Sequence, residues 1–123
     1  MEQKKREGGE VTKDMTVGEI ACRLNLTCIA GTDGLMKEVK GVYIGDVLSV
    51  AMAHAREGEL WITVQGHINA IAVAVLVNLS AIVLVHGVQV TQEVKNVAEE
   101  EGIALLSTNQ RSYEMVSQLV KNL

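Results

Sequence analysis

Glu59-Leu60-Trp61-Ile62-Thr63-Val64-Gln65-Gly66-His67-Ile68-Asn69-Ala70-Ile71-Ala72-Val73-Ala74-Val75-Leu76-Val77-Asn78-Leu79-Ser80-Ala81-Ile82-Val83-Leu84-Val85 is the passage whose reading decides the fold. Residues 60–64 are apolar except for Thr63, and Gln65-Gly66-His67 supplies a turn. Asn69 then caps a helix over 70–79 that is apolar nearly all round and therefore buried. Residues 81–85 form a second aliphatic strand, ended by His86-Gly87. Strand, helix and strand joined by short loops make a right-handed crossover between parallel strands. The 18 residues 68–85 also just reach the length of a membrane span. Asn78 and Ser80 would then fall near mid-bilayer, and the stretch divides naturally into helix and strand, so the membrane reading is set aside.

Toward the C-terminus, Thr91 caps a helix with Val94, Val97 and Ala98 on its inner side, and Gly102 provides its stop. Residues 103–106 are a strand, and Ser107, Thr108 or Asn109 caps a last helix with Tyr113, Val116, Val120 and Leu123 on one face. Toward the N-terminus, residues 39–44 are a strand, and Asp46 is placed to cap a helix running to Ala55. Its expected inner face is Val47, Leu48, Ala51, Met52 and Ala55. Further back, Thr16 and Glu19 form a capping box, with Met15 and Ile20 as its staple and Val17, Ile20, Ala21 and Leu24 as an apolar face. Asn25 is a left-handed stop, residues 27–30 a short strand, and Gly31-Thr32-Asp33-Gly34 a turn. The expected fold is α/β, one three-layer domain with a mostly parallel sheet of about five strands.

Composition agrees. The 123 residues fit one domain, which hides roughly two-thirds of its unfolded surface without a metal or disulfide staple. Hydrophobic residues make up 48%, yet there is no Phe, one Trp (Trp61) and two Tyr (Tyr43, Tyr113). Val, Ile, Leu, Ala and Met carry the apolar volume, as strands covered on both faces require. A net charge of −4 and a pI near 5.3 argue against a nucleic-acid partner, and so few aromatics leave no stacking platform. Lys4, Lys5 and Arg6 are diluted by Glu2, Glu7 and Glu10 and read as a solvated tail. Cys22 and Cys28 have no second pair and no nearby His, so they are ordinary thiols of a reducing compartment. The polar residues 1–14 contain no signal peptide. The expectation is a cytoplasmic protein with a flexible leader over 1–13 and one domain over 14–123.

In open parallel sheets ligands bind at the carboxyl ends of the strands. Here those ends carry Asp46 and Ser49, then Gln65, His67 and Asn69, then His86, then Ser107 and Thr108. They are also helix N-termini, which offer free N–H groups to an anion. Asp46, Asn69 and Thr108 have the alternative of being caps and nothing more. No capping rule asks for His67 or His86, whereas His54 lies within a helix and is expected to be inert. No phosphate loop, dinucleotide fingerprint or nucleophile elbow occurs, and no two carboxylates fall at strand ends as an acid–base pair. A three-ligand metal site from Asp46, His67 and His86 is conceivable from topology alone, but no metal and no cofactor is assigned.

The blocks Gly41-Val42-Tyr43-Ile44-Gly45-Asp46-Val47-Leu48-Ser49, Gly58-Glu59-Leu60-Trp61-Ile62-Thr63-Val64-Gln65-Gly66-His67-Ile68-Asn69 with Ile71-Ala72-Val73-Ala74, and Glu101-Gly102-Ile103-Ala104-Leu105-Leu106-Ser107-Thr108 resemble the DRTGG domain family in order and spacing, over about residues 14–123. The family's namesake letters are not found as a contiguous string. Such domains resemble the N-terminal domain of HPr kinase/phosphorylase and occur joined to phosphotransacetylases and CBS-domain pyrophosphatases. Short stand-alone members are often encoded beside hydrogenase and redox genes. The resemblance implies a fold like the N-terminal domain of Mur ligases, a homodimer or higher assembly, and a regulatory role beside a redox or metabolic enzyme. It does not imply kinase activity, since the phosphate loop lies in another domain of HPr kinase.

The reading that follows is a non-catalytic regulatory or ligand-sensing domain that binds a nucleotide or other small anion at its strand ends. The alternatives are an interaction or dimerisation module with no small ligand, for which a mean hydropathy of +0.21 leaves apolar surface, and a phosphate-handling enzyme using His67 and Asp46.

Overall fold

Reciprocal capping opens the chain. In the computed structural model, which describes residues 15–122, Glu19 N donates to Thr16 Oγ1 at 3.1 Å and Thr16 N to Glu19 Oε1 at 2.9 Å. The capping box thus starts α1 (Val17–Arg23). Asn25 takes φ 57, the left-handed stop expected of it, and the chain enters β1 (Thr27–Ala30). After a 3-10 turn (Thr32–Met36) come β2 (Gly41–Ile44), α2 (Leu48–His54), β3 (Glu59–Thr63), α3 (Ile68–Val77), β4 (Ala81–Leu84), α4 (Gln92–Glu101), β5 (Ala104–Ser107) and α5 (Ser112–Lys121). The leader expected over 1–13 and the expected contact of Leu123 lie outside the described residues.

The five strands form one sheet in the order β1-β5-β4-β3-β2. The pairs β2·β3, β3·β4 and β4·β5 are parallel, as the passage 59–85 implied, with Trp61 between Tyr43 and Ile82 in register. The pair β1·β5 is antiparallel, Thr27 facing Ser107, with a bulge between Cys28 and Ala30. The mostly parallel sheet of the sequence reading is therefore corrected to a mixed one. The physical reason is connection length: only residues 31–40 join β1 to β2, without a full helix, and a parallel crossover needs a dozen or more residues. That connection passes against the start of β5. A Cβ on Gly31, whose φ is +75, would lie 1.9 Å from Ile103 O, so only glycine fits.

Three successive crossovers in one direction place α2, α3 and α4 on the same face. Strand alternation then sends Leu60, Ile62, Val83 and Leu106 toward α1 and α5, and Trp61, Ile82, Leu84 and Leu105 toward α2, α3 and α4. The three-layer expectation holds, with a core on each side of the sheet. Trp61, fully buried, donates its indole N–H to Gly45 O at 2.9 Å and so pays no unpaired-donor cost.

Several helix starts and faces differ from expectation. Asp46 does not cap α2; Val47 holds that position with no side-chain bond. Asn69 lies inside α3, whose N-cap is His67. The cap of α5 is Arg111, not Ser107, Thr108 or Asn109, because residues 108 and 110 are held by β4's loop before the helix begins: Gly87 N donates to Thr108 O and His86 N to Gln110 O. Thr91 does cap α4, accepting from Val94 N at 3.2 Å, and Gly102 ends it at φ 68. Within α2 only Ala51 is buried; Val47 and Met52, expected inside, are exposed. In α5 the buried pair is Met115 and Leu119, while Tyr113 and Val120 face outward. α3 is not buried all round, since Leu76 is 71% exposed.

Candidate functional site

The parallel strands end on one edge of the sheet, and side chains knot those ends together. Asp46 Oδ1 accepts from Thr63 Oγ1 at 2.9 Å and from Val64 N at 3.0 Å. Gln65 Nε2 donates to the main-chain oxygen of Asp46 at 2.6 Å. Asp46 and Gln65 thereby bind the end of β2 to the end of β3. At the other half of the edge, Thr108 N donates to Leu84 O at 3.0 Å and Gly87 N to Thr108 O at 2.9 Å. His86 and Gly87 are consecutive left-handed residues at φ 64 and 65. His86 is exposed, and among the described residues its side chain makes no hydrogen bond into this zipper.

Two clefts open along this edge. One, of about 760 Å³, lies where α1 meets β1, between the loop after β5 and α5. It is lined by Arg23, Leu24, Asn25, Thr27, Ser107, Thr108, Asn109, Gln110, Gln118, Lys121 and Asn122. It holds two cationic side chains and no carboxylate. Arg23 Nη1 already donates to Asn122 O at 3.2 Å, which holds the guanidinium at the cleft wall. Gln110, one of the lining residues, keeps its Oε1 buried and without a hydrogen-bond partner. The second cleft, of about 420 Å³, is lined by Val64, Gln65, Gly66, His67, Ile68 and the segment Val88, Gln89, Thr91, Glu93 and Val94. It carries a carboxylate and no Lys or Arg, so the first cleft is the better anion receptor.

The expected site residues thus divide. Ser107 and Thr108 enter the larger cleft, Gln65 and His67 the smaller. Asp46 is spent on β3, and Ser49, Asn69 and His86 line neither cleft. Asp46, His67 and His86 do not come together, and among the described residues no group of three or more His, Cys, Asp or Glu is placed to hold a metal. Sequence reasoning missed Arg23, Asn25, Thr27 and Lys121. Their arrival depends on β1 folding back beside β5, and the short helix-free link between β1 and β2 was the available signal. Among the described residues no helix is long and apolar enough to cross a membrane.

The model of the DRTGG domain matches residues 19–121. The chain belongs to the DRTGG domain family. Comparison with curated proteins gives no match. Among solved structures, this DRTGG domain is similar to the CBS and DRTGG domains of the regulatory region of Clostridium perfringens pyrophosphatase, complexed with its activator diadenosine tetraphosphate. The TM-score is 0.68 at 15% identity, over 89% of this chain and 47% of that one. The likeness is one of fold, and this chain spans about half the length of that regulatory region.

Proposed function

We propose that this DRTGG domain is a non-catalytic regulatory module of the cytoplasm that senses a small anionic ligand, a nucleotide above all, and works as a homodimer beside a metabolic or redox enzyme. The observation that carries the reading is the cleft at the end of β5, where Arg23 and Lys121 stand without a carboxylate among hydroxyl and amide groups. The cations suit phosphate oxygens. The hydroxyl and amide side chains of Thr27, Ser107, Thr108, Asn109 and Gln118 suit the hydroxyls and amines of a nucleoside. A regulatory region of similar fold, in complex with a nucleotide activator, supports the same direction.

A thermal-shift series with mono- and dinucleotides and inorganic phosphate tests it. A ligand at a hundred times its Kd stabilises by about 2.7 kcal/mol. Arg23→Ala and Lys121→Ala are expected to abolish the shift and His67→Ala to leave it intact. No shift with any of these compounds, or a shift lost only with His67→Ala, overturns the assignment to this cleft. A second reading, an interaction module without a small ligand, draws on the exposed aliphatics Val47, Val50, Met52, Val75 and Leu76 of α2 and α3.

A further inference from the structure

We infer that the groove between α3 and α4 is the surface on which a basic amphipathic helix of another protein docks. The inference gives a partner to the interaction reading above, on which it rests. It is independent of the β5 cleft, since α3 and α4 cover the face of the sheet opposite α1 and α5. The ten residues of α3 include no charged side chain, although the helix is not fully covered. Ala72, Val75 and Leu76 stand at i, i+3 and i+4 and are exposed, Val75 by 42% and Leu76 by 71%. A helix lying on a sheet ordinarily turns polar residues to water. Here Ile71, Ala72, Val75 and Leu76 instead line a groove of about 280 Å³, whose other wall is Val97 and Glu101 of α4.

The walls decide the shape of the occupant. Both are helices packed against each other, and their main-chain groups are bonded within each helix. The groove therefore offers apolar atoms but no row of backbone donors and acceptors. An extended peptide laid along it would leave its own amides unpaired against an apolar surface. A helix brings its backbone already satisfied, and its side-chain ridges fit between two helices. Apolar anchors at helical spacing are the means by which such a segment sits in a groove.

Charge decides its sign. Glu93, Val97, Glu100 and Glu101 stand at i, i+4, i+7 and i+8, so three exposed carboxylates flank Val97 on the groove side of α4. Lys95, the one cation of α4, lies two residues from Val97 and so belongs to another face. The last turn of α4 holds no basic residue, and its carboxylates sit at the negative end of the helix dipole, where cations are favoured. Glu99 is bonded to Gly31 N at 2.8 Å; Glu100 and Glu101 border the groove side. Lys or Arg of an incoming helix would meet them while its apolar stripe covers Val75 and Leu76. Like charge turns away a second copy, itself at −4, and equally a nucleic acid or an anionic bilayer.

Fluorescence anisotropy on the full chain tests this with two designed peptides of about four helical turns. Both carry Leu along one stripe; beside it one has Lys and the other Glu at the same positions. The Lys helix is expected to bind, and more weakly as salt rises. Leu76→Glu should weaken it roughly tenfold while keeping its circular dichroism, because Leu76 is already exposed. Glu100→Lys combined with Glu101→Lys should lose the Lys helix and gain the Glu helix. Val120→Glu, an exposed change on α5, should alter neither. Equal binding of the two peptides overturns the basic partner and leaves the interaction reading. Binding that survives Leu76→Glu overturns the groove. No binding of either peptide overturns the inference and leaves α2 to carry the interaction reading, while nucleotide shifts at the β5 cleft stand or fall on their own. Binding that emerges only when Lys4, Lys5 and Arg6 are changed to Glu means that the chain's own N-terminal residues fill the groove, and also overturns it.

Discussion

The hydroxyl of Thr63 donates to the carboxylate of Asp46 across 2.9 Å, joining the ends of two neighbouring parallel strands. Thr63 is 1% exposed; its hydroxyl oxygen also accepts from Gln65 N at 3.2 Å, but the hydroxyl proton goes to Asp46 and would lie unpaired in the core without it. Asp46→Ala is expected to destabilise the fold by about 1–3 kcal/mol, and Asp46→Asn by less because an acceptor oxygen remains. Urea unfolding followed by Trp61 emission measures both. Ligand shifts assigned to the β5 cleft should persist in either variant; their loss would return Asp46 to the binding site.

Gly31 and Gly102 share a left-handed φ but not their surroundings. A Cβ at Gly31 meets the Ile103 carbonyl, while one at Gly102 meets nothing within 4 Å. Gly102→Ala should cost about 1 kcal/mol, the conformational penalty alone. Gly31→Ala adds displacement of the β5 backbone and should cost more than about 2 kcal/mol. Equal losses in denaturant unfolding would contradict this packing.

His86 is an exposed non-glycine residue at φ 64. Replacing it by Gly removes the left-handed penalty at the cost of some chain entropy, a net gain of about 0.5–1 kcal/mol. A rise in the unfolding midpoint is the expected result. A fall would show that the imidazole makes a stabilising contact.

Burial raises the Cys28 thiol above its ordinary value of 9.0, and the Glu99 carboxylate pushes the same way, against a smaller lowering by the Ala30 backbone. The unfolded chain therefore releases this proton first. Stability is level at neutral pH on this account and declines as pH climbs past the ordinary thiol value. Cys28→Ala should make the alkaline decline shallower than in the wild type. At neutral pH an alkylating reagent should modify exposed Cys22 well before half-buried Cys28; mass spectrometry of partly labelled protein gives the order.

Much of this molecule was local enough to read along the chain. The capping box of Thr16 and Glu19, the Thr91 cap, and the left-handed Asn25 and Gly102 each depend on residues within a few positions of one another. The parallel order of β3 and β4 follows from their connecting helix, and aliphatic strands signal burial on both faces. Helix faces were less secure where a helix is short or apolar on several sides. α2 looks amphipathic in sequence, yet as the outermost helix it fully buries only Ala51, with Leu48 partly covered. Asp46 shows the same limit. An Asp before a helix satisfies the local rule for a cap, but a buried hydroxyl brought alongside from β3 donates to the carboxylate on better terms.

The sequence by itself determined the alternation of elements, the aliphatic core and the membership of the DRTGG domain family. Only the tertiary structure decided that β1 returns antiparallel against β5. That pairing sets Thr27 opposite Ser107, and it brings Arg23 and Lys121 to one cleft with Ser107 and Thr108. No periodicity encodes it, because the choice of edge rests on backbone hydrogen bonds between strands distant in the chain and on glycines small enough to let the connection pass.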